Sequence, residues 1–301
     1  MRYYSLNDYC KKTFGEKVYK LSLNAGMTCP NRDGSLSYTG CFYCSEGGSG
    51  DFASDSSLPI AAQLSEARRR LSSKTDCRKF IAYFQAFTNT YAPVEYLEKI
   101  FYEAISDPSV CVLSIGTRTD CFNDEIYDLL SRLNNIKPVW IELGLQSIHQ
   151  STLDAMNTHT KVSDFTVVCN ELNKRSIKVI AHLILGLPGE TKEMMLESVD
   201  FAAKSNIFGI KLQLLHVLRN TKLAELYEKD PFPLFSLEEY CDFIVDCIER
   251  LPPGMVIHRM TGDGPRKLLI APMWSTDKKR VLNTINQNFI KRNTYQGRFF
   301  I

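Results

Sequence analysis

The stretch NAGMTCPNRDGSLSYTGCFYCSEGGSG, from Asn24 to Gly50, carries Cys29, Cys41 and Cys44, three of the chain's ten cysteines, at the spacing C-x11-C-x2-C. Its richness in Gly, Ser and Asn marks a loop. Directly before it stands KVYKLSL from Lys17, a short β-branched and aromatic run of the kind that forms a strand. Two cysteines separated by two residues can present both sulfurs to one centre, and the distant Cys29 makes three. A structural zinc takes four protein ligands; no histidine lies in the loop, and the nearest in sequence is His149. Three thiolates on a 4Fe–4S cluster leave one iron without a protein ligand, open to bind and activate a substrate.

Outward from the loop, short apolar runs alternate with helix-length amphipathic stretches. The further strand candidates are KFIAYFQ from Lys79, VCVLSIG from Val110, VWIELGL from Val139, KVIAHLILG from Lys178 and GIKLQLL from Gly209. Their near-continuous apolar character suits strands buried on both faces of a parallel sheet. Helical periodicity runs over Pro59–Leu71, Val94–Ile105, Glu125–Leu133, Asp164–Leu172 and Lys192–Ala203. Six βα units predict an α/β fold, doubly wound or curled into a barrel, with its chemistry at the C-terminal ends of the strands. A further strand, MVIHRM, and a last helix near Asp277–Ile290 follow. The expected organisation is an N-terminal extension over 1–16, a barrel core over 17–254, and a C-terminal strand with a basic helical extension over 255–301.

The composition agrees with one such unit. A length of 301 residues suits a barrel of ~200–250 residues with short extensions. Apolar residues at 44% and charged residues at 23% are ordinary for a soluble globular protein. The longest apolar run, Val179 to Leu187, is strand-sized, so no membrane span is expected. MRYYSLNDYCKK lacks the apolar core and cleavage site of a signal peptide, which predicts a cytoplasmic protein. Ten cysteines in that reducing compartment read as thiols, metal ligands or buried apolar residues rather than disulfides. Cys111, Cys169, Cys241 and Cys247 fall on strands or helices and read as core, as does Cys121; Cys10 and Cys77 are uninformative.

Net charge is +2, but it is unevenly spread. From Pro265 to Ile301, eight basic residues stand against Asp277 alone, a net of +7, so the remainder carries −5. A basic end on a slightly acidic body is either a solvated helix or a footprint for a polyanion. Lys278, Lys279, Arg280, Lys291, Arg292 and Arg298 are the candidate RNA contacts; the last three are interleaved with aromatics in NFIKRNTYQGRFF, where they can meet phosphates while Tyr295 or Phe299 stacks on a base.

The cysteine loop, with aromatic Tyr43 just before its last thiol, resembles the cluster loop of radical S-adenosylmethionine (radical SAM) enzymes. The common pattern in that superfamily places three residues between the first two cysteines. CPNRDG followed by GCFYC is similar to a subgroup with an expanded loop, related to the catalytic domain of Elp3-type tRNA-modifying enzymes. GTRTDCFNDE from Gly116, IELGLQSIHQSTL from Ile141, HLILGLPGET from His182 and MTGDGP from Met260 resemble that subgroup's strand-end segments, so the resemblance covers nearly the whole chain. It implies a partial (βα)6 TIM-like barrel and a 4Fe–4S cluster held by Cys29, Cys41 and Cys44. It also implies S-adenosylmethionine on the open iron, cleaved by one electron to a 5′-deoxyadenosyl radical that takes a hydrogen atom from the substrate. A one-electron reductant such as flavodoxin or ferredoxin is implied as partner.

For the cofactor, the superfamily's Gly-Gly-Glu-like turn after the second strand is replaced by FQAFTNTYAP, where Gln85, Thr88 and Asn89 offer acceptors. Glu142 and Gln146 lie four apart, an even offset that points both into the barrel. A buried carboxylate needs a partner: the ribose hydroxyls, Arg118 or Lys211. Gly186, Pro188 and Gly189 resemble the segment that passes the adenine. Candidates on the substrate side are Arg118, Asp120, His182, His216, Arg219, His258, Arg259 and Asp263. The resemblance further implies a tRNA substrate and wobble-uridine chemistry, from a carboxymethylaminomethyl to an aminomethyl form. Two other readings stay open: a small tetrapyrrole-like substrate, because GLQS resembles oxygen-independent porphyrinogen oxidases, and a non-catalytic zinc-binding RNA adaptor.

Overall fold

The computed structural model describes residues 2–72, 75–262 and 264–300. Six strands lie side by side in chain order, all parallel: β1 (Tyr19–Leu23), β2 (Phe80–Phe84), β3 (Val110–Thr117), β4 (Val139–Gln146), β5 (Lys178–Leu185) and β6 (Gly209–Leu214). After the short β7 (Val217–Leu218), β8 (Val256–Arg259) joins beside β6 as a seventh parallel strand, and β9 (Leu269–Ala271) pairs antiparallel with β7. The large sheet curls into a half-barrel whose edges are β1 and β8.

The helices are α1 (Leu6–Phe14), α2 (Ile60–Ser72), α3 (Val94–Ser106), α4 (Asp124–Asn134), α5 (Gln150–Ala155), α6 (Val162–Lys174), α7 (Lys192–Lys204), α8 (Lys222–Lys229), α9 (Leu237–Glu249) and α10 (Lys278–Lys291). The six strands and α2, α3, α4, α6, α7 and α10 stand where the apolar runs predict them. The four others lie where no periodicity was assigned. For α9 the signal is present: Ser236 and Glu239 form a reciprocal capping box ahead of an apolar stripe.

Each strand sorts its residues by parity. One face sends Leu21, Phe84, Leu113, Ile141, Val179 and Leu212 outward, to pack with helix residues such as Phe101, Leu130, Phe165 and Ile244 in the main core. The other face looks into the barrel. Near the strand starts it holds Ile81, Val112, Trp140 and Ile180, a separate apolar plug. α1 closes this plug from below: the Tyr9 ring lies 5.8 Å from Trp140 and 4.8 Å from Phe208. The segment is stitched in place by Ile257 N–H on Tyr4 O, Tyr4 N–H on Gln296 Oε1 and Gln296 N–H on Arg2 O, each 2.8 Å. Among the described residues, no helix is long and apolar enough to cross a membrane.

Candidate active site

The long loop between β1 and α2 carries the three cysteines over the open end of the barrel, and other loops hold it there. Arg32 and Asp33 N–H bond Cys29 O (2.8 and 3.1 Å), and Cys44 N–H bonds Cys41 O (3.0 Å). The buried Asn31 amide reaches Cys41 Sγ (3.4 Å) and Asn157 O (2.6 Å), while Arg32 donates to Cys44 O (2.9 Å) and Ser45 O (2.6 Å). Thr88 N–H on Thr28 O (3.1 Å) and Phe87 N–H on Gly48 O (2.8 Å) join it to the loop after β2. Gly48 is required here: its φ is +58°, and an added Cβ would come within 2.4 Å of the Phe87 ring.

Cys29, Cys41 and Cys44 all line one cavity of about 240 Å³. All ten cysteines of the chain are unpaired thiols. Burial pushes the Cys41 thiol up to about 11, with Cys44 adding to it and Arg118, Tyr43 and Asn31 opposing; burial also raises Cys44, against the pull of Arg32. Metal binding needs the deprotonated form, so loading this site releases protons. The donor set is sulfur alone, flanked by the guanidinium groups of Arg32 and Arg118. That chemistry fits a thiolate-held iron–sulfur cluster with one position left to the cavity. Among the described residues, no three His, Cys, Asp or Glu side chains converge on a point that holds a single metal ion.

One pleat above the apolar plug, the inner face becomes charged. Glu142 on β4 is buried at 1% exposure. Its Oε1 accepts from Lys20 Nζ (2.5 Å) and Ser114 Oγ (2.8 Å); its Oε2 accepts from His182 Nε2 (2.8 Å) and Lys211 Nζ. Lys211 also donates to Tyr83 Oη (2.9 Å). Burial alone would raise the Glu142 carboxyl, but Lys20, Lys211 and His182 outweigh it and hold the group well below the usual range. Burial drives the Lys211 ammonium well down, with Glu142 opposing and Lys20 and Arg259 adding. His182 is pushed down to about 4 by burial and then by Lys211, so at neutral pH it is a neutral ring. Its Nε2–H then donates to Glu142 and its Nδ1 remains an acceptor.

The open question of Glu142's partner thus resolves in favour of Lys211, joined by Lys20. Arg118 is engaged elsewhere, by two bonds to Asp120 (2.9 and 2.7 Å) and one to Thr158 O (2.9 Å). Burial would lower the Arg118 guanidinium, but Asp120 and the nearby Cys41 and Cys29 raise it overall.

The other candidates divide. Tyr43, Gln85, Thr88, Gln146, Arg118, His182, His216 and Arg259 line the cavity with the cysteines and Glu142. Gln146 arrives with φ at +63° after a register shift past Gly144, and its buried Oε1 has no protein partner. His216 packs where Cβ atoms at Gly262 or Gly264 would lie 2.4–2.5 Å from its ring. Burial, then Lys278 and Arg259, push it down to about 4. Asn89 sits behind the wall, bonding Gly116 O through Nδ2 (2.9 Å). Gly186 and Gly189 take φ of +93° and +84° in the turn after β5, and with Pro188 they are not among the lining residues. Asp120 lies beside Arg118, Arg219 is exposed, and Asp263 lies outside the described residues. His258 is in the plug, one pleat too deep, edge-on to Trp140 at 5.5 Å.

Of the basic tail, Lys278 lies near Arg259 and His216. Lys279 is exposed, and Arg280 stands 3.8 Å from Glu238. Arg292 is committed to Asp242, Asp246 and Glu249 on α9. Arg298 lies over the Phe299 ring, and Lys291 is exposed at the end of α10. Lys20, Tyr83, Ser114, Arg32 and Asn31 were not singled out from sequence. The signal for Lys20 is a charge on the inward parity of β1.

Comparison with known proteins follows the same lines. Residues 28–202 match the model of the radical SAM superfamily, and residues 207–291 match that of the radical SAM C-terminal domain. YtqA of Bacillus subtilis is 42% identical over 299 residues, 99% of this chain and 93% of the relative. The tRNA uridine(34) acetyltransferase of Methanocaldococcus jannaschii is 26% identical over 169 residues, 53% of this chain but only 30% of the relative. Among solved structures, the archaeal Elp3 of Methanocaldococcus infernus superposes with a TM-score of 0.69 at 18% identity, covering 93% of this chain and 64% of that one, a likeness of fold. With its three thiols at the mouth of an open parallel barrel, the chain belongs to the radical SAM superfamily.

Proposed function

We propose that this radical SAM enzyme modifies tRNA, converting a carboxymethylaminomethyl group on a wobble uridine to the aminomethyl form. The observation that carries the reading is the similarity over 169 residues to an enzyme named for uridine 34 of tRNA. The placement of Lys278, the first residue of the basic α10, beside the cavity residues His216 and Arg259 is consistent with an RNA strand delivering one nucleoside to the mouth.

Cys29, Cys41 and Cys44 would hold the 4Fe–4S cluster. Gln85, Thr88, Tyr43 and Gln146 would meet S-adenosylmethionine, the unpartnered Gln146 oxygen facing a hydroxyl or amine. Held there and reduced by an external one-electron donor, the cluster would supply reductive cleavage of S-adenosylmethionine and so hydrogen abstraction. The chain's own part is enclosure and orientation. Phe87, Ile184, Leu214, Leu215 and Leu218 line the wall with carbon, which excludes water from a reactive centre. Arg118 and Arg32 set positive charge beside the sulfurs.

The test uses anaerobically reconstituted protein, S-adenosylmethionine, a strong reductant, and tRNA from cells lacking the protein. The expected result is 5′-deoxyadenosine released in step with aminomethyl uridine detected by mass spectrometry of nucleosides. Release that tRNA does not stimulate, or tRNA from the deletion strain with an unchanged nucleoside inventory, rejects the reading. Binding should also weaken steeply as salt rises.

A further inference from the structure

Two consecutive residues of the thiol loop, Asn31 and Arg32, are laid across the C-x2-C pair. Gly40 N–H bonds Asn31 O (2.7 Å), so the dipeptide is tied to the residue that precedes Cys41. The Asn31 side chain is fully buried, and its amide donates to Asn157 O (2.6 Å) and Cys41 Sγ (3.4 Å). The Arg32 guanidinium serves the other end of the pair: Nη2 donates to Cys44 O (2.9 Å) and Ser45 O (2.6 Å). It packs on bare backbone at Gly40, where φ is +73° and an added Cβ would stand 2.8 Å from Nε and 3.3 Å from Cζ. The same guanidinium stands 5.9 Å from the centroid of the Phe87 ring and lines the cavity together with all three thiols.

The charge on Arg32 has no carboxylate of its own. Arg118, the other guanidinium beside the thiols, is spent on Asp120 through two bonds. Among the described residues no Asp or Glu forms a salt bridge with Arg32. Asp51, a carboxylate that lines the same cavity, accepts instead from Ser45 Oγ (2.8 Å). A half-buried cation without a counter-ion is a cost that a neighbouring anion removes. A 4Fe–4S core held by three thiolates is such an anion, and each electron it accepts makes it more negative. Net charge and hydrogen bonds to the sulfurs are among the terms that set the potential of a cluster. The direction is visible on the thiol itself: burial pushes Cys44 up, and the Arg32 charge is the largest influence opposing it. Bracing Cys44 O and Ser45 O needs only N–H donors, which a neutral amide supplies. A permanent cation at that point is the added feature.

We propose that Asn31 and Arg32 are positioning residues that set the reduction potential of the cluster, raising it into reach of an external one-electron donor. Asn31 acts through its N–H···S bond to Cys41, and Arg32 through an unshared positive charge beside Cys44. The step they assist is the transfer of one electron from the donor, which is oxidised, to the cluster, which is reduced; no bond forms or breaks in it. The inference rests on the cluster reading of the three thiols and is independent of the tRNA substrate.

The experiment is a redox titration of the anaerobically reconstituted full-length protein, followed by electron paramagnetic resonance, with iron, sulfide and zinc measured on each sample. Arg32→Gln is expected to hold about tenfold less reduced cluster at a fixed potential, a midpoint about 59 mV more negative. Arg32→Lys, which keeps the charge, is expected to stay near wild type, and Asn31→Leu to move in the same direction as Arg32→Gln by a smaller step. A residue that only braces the loop changes how much cluster is loaded and leaves the midpoint of the loaded fraction where it was. A loaded Arg32→Gln with the wild-type midpoint therefore overturns the proposal, and so does a loaded Arg32→Lys whose midpoint falls as far as that of Arg32→Gln. If Arg32→Gln takes up no cluster, the other two variants decide. A lowered midpoint in Asn31→Leu beside an unchanged Arg32→Lys upholds the proposal, whereas an unchanged Asn31→Leu or an empty Arg32→Lys overturns it. Wild type that takes up zinc and no iron removes the cluster reading itself, a failure distinct from an unmoved midpoint.

Discussion

Trp140 and Glu142 are two residues apart on β4, point the same way into the same barrel, and live in opposite chemical worlds. Trp140 belongs to an apolar plug with Ile81, Val112 and Ile180, and α1 caps it. Glu142 belongs to a polar layer with Lys20, Lys211 and the neutral ring of His182. Two residues of strand advance the chain only about 7 Å. Within that distance each inner face changes type: Ile81 to Tyr83, Val112 to Ser114, Ile180 to His182. The plug is what lets the charged layer exist. Sealing water out from below means the charges answer only to each other and to whatever enters from above, where the effective dielectric is low and each contact counts for more.

The sharpest way to test this division is to cut at the two ends. Cys41→Ala at the mouth should abolish 5′-deoxyadenosine release and cost a large share of the bound iron, while thermal unfolding barely shifts, because the loop lies over the barrel rather than in its core. Trp140→Ala in the plug should do the reverse in kind: a loss of about 3–5 kcal/mol of stability in urea unfolding, with cluster content retained in the folded fraction. If Trp140→Ala instead abolished cluster binding at unchanged stability, the plug and the mouth would not be separate.

Glu142→Gln probes the boundary. Removing the charge leaves two lysines facing one another and should cost about 3 kcal/mol. Glu142→Gln combined with Lys211→Met should recover part of that loss, whereas additive losses would show that the layer is not a coupled unit.

A smaller effect is expected from pH. His182 and His216 both have values pushed down to about 4 in the folded protein, below the ordinary 6.5. Between those limits the unfolded chain binds more protons, so stability should fall as pH is lowered from about 6.5 towards 4. Glu142 loses its contribution only at lower pH, since its folded value is depressed. His182→Gln should flatten the midpoint-versus-pH curve across the window; an unchanged slope would mean that the ring titrates freely.

The legible parts of the molecule were those encoded by local pattern. Six apolar runs became six parallel strands, and three thiols in a Gly- and Ser-rich loop lined the cavity that the strand order forms. Glu142 stood out as a carboxylate in an apolar run. Lys20 did not, because only curling of the sheet brings β1 round so that its amine reaches Glu142 on β4. His258 was read at a strand end, but β8 enters the sheet with a register shift against β6, and the ring sits in the plug. The four unassigned helices are shorter or set their apolar faces against other helices. The bonds of Asn31 and Asn157 that hold the thiol loop span more than a hundred residues, beyond any sequence window.

The stitching of Tyr4 to Gln296, 292 residues apart, also sets a clock on synthesis. At roughly 5–20 residues per second, a ribosome needs on the order of 15–60 s between these two residues. All six βα units emerge in that interval, and helices and neighbouring strands form far faster. The underside of the barrel therefore waits, with Trp140 and its neighbours open from below, until the strand carrying Ile257 and then Gln296 arrive to fix residues 2–14 in place. Nascent chains halted before residue 257 should bind chaperones and yield to protease near the plug, and release of the halt should end both.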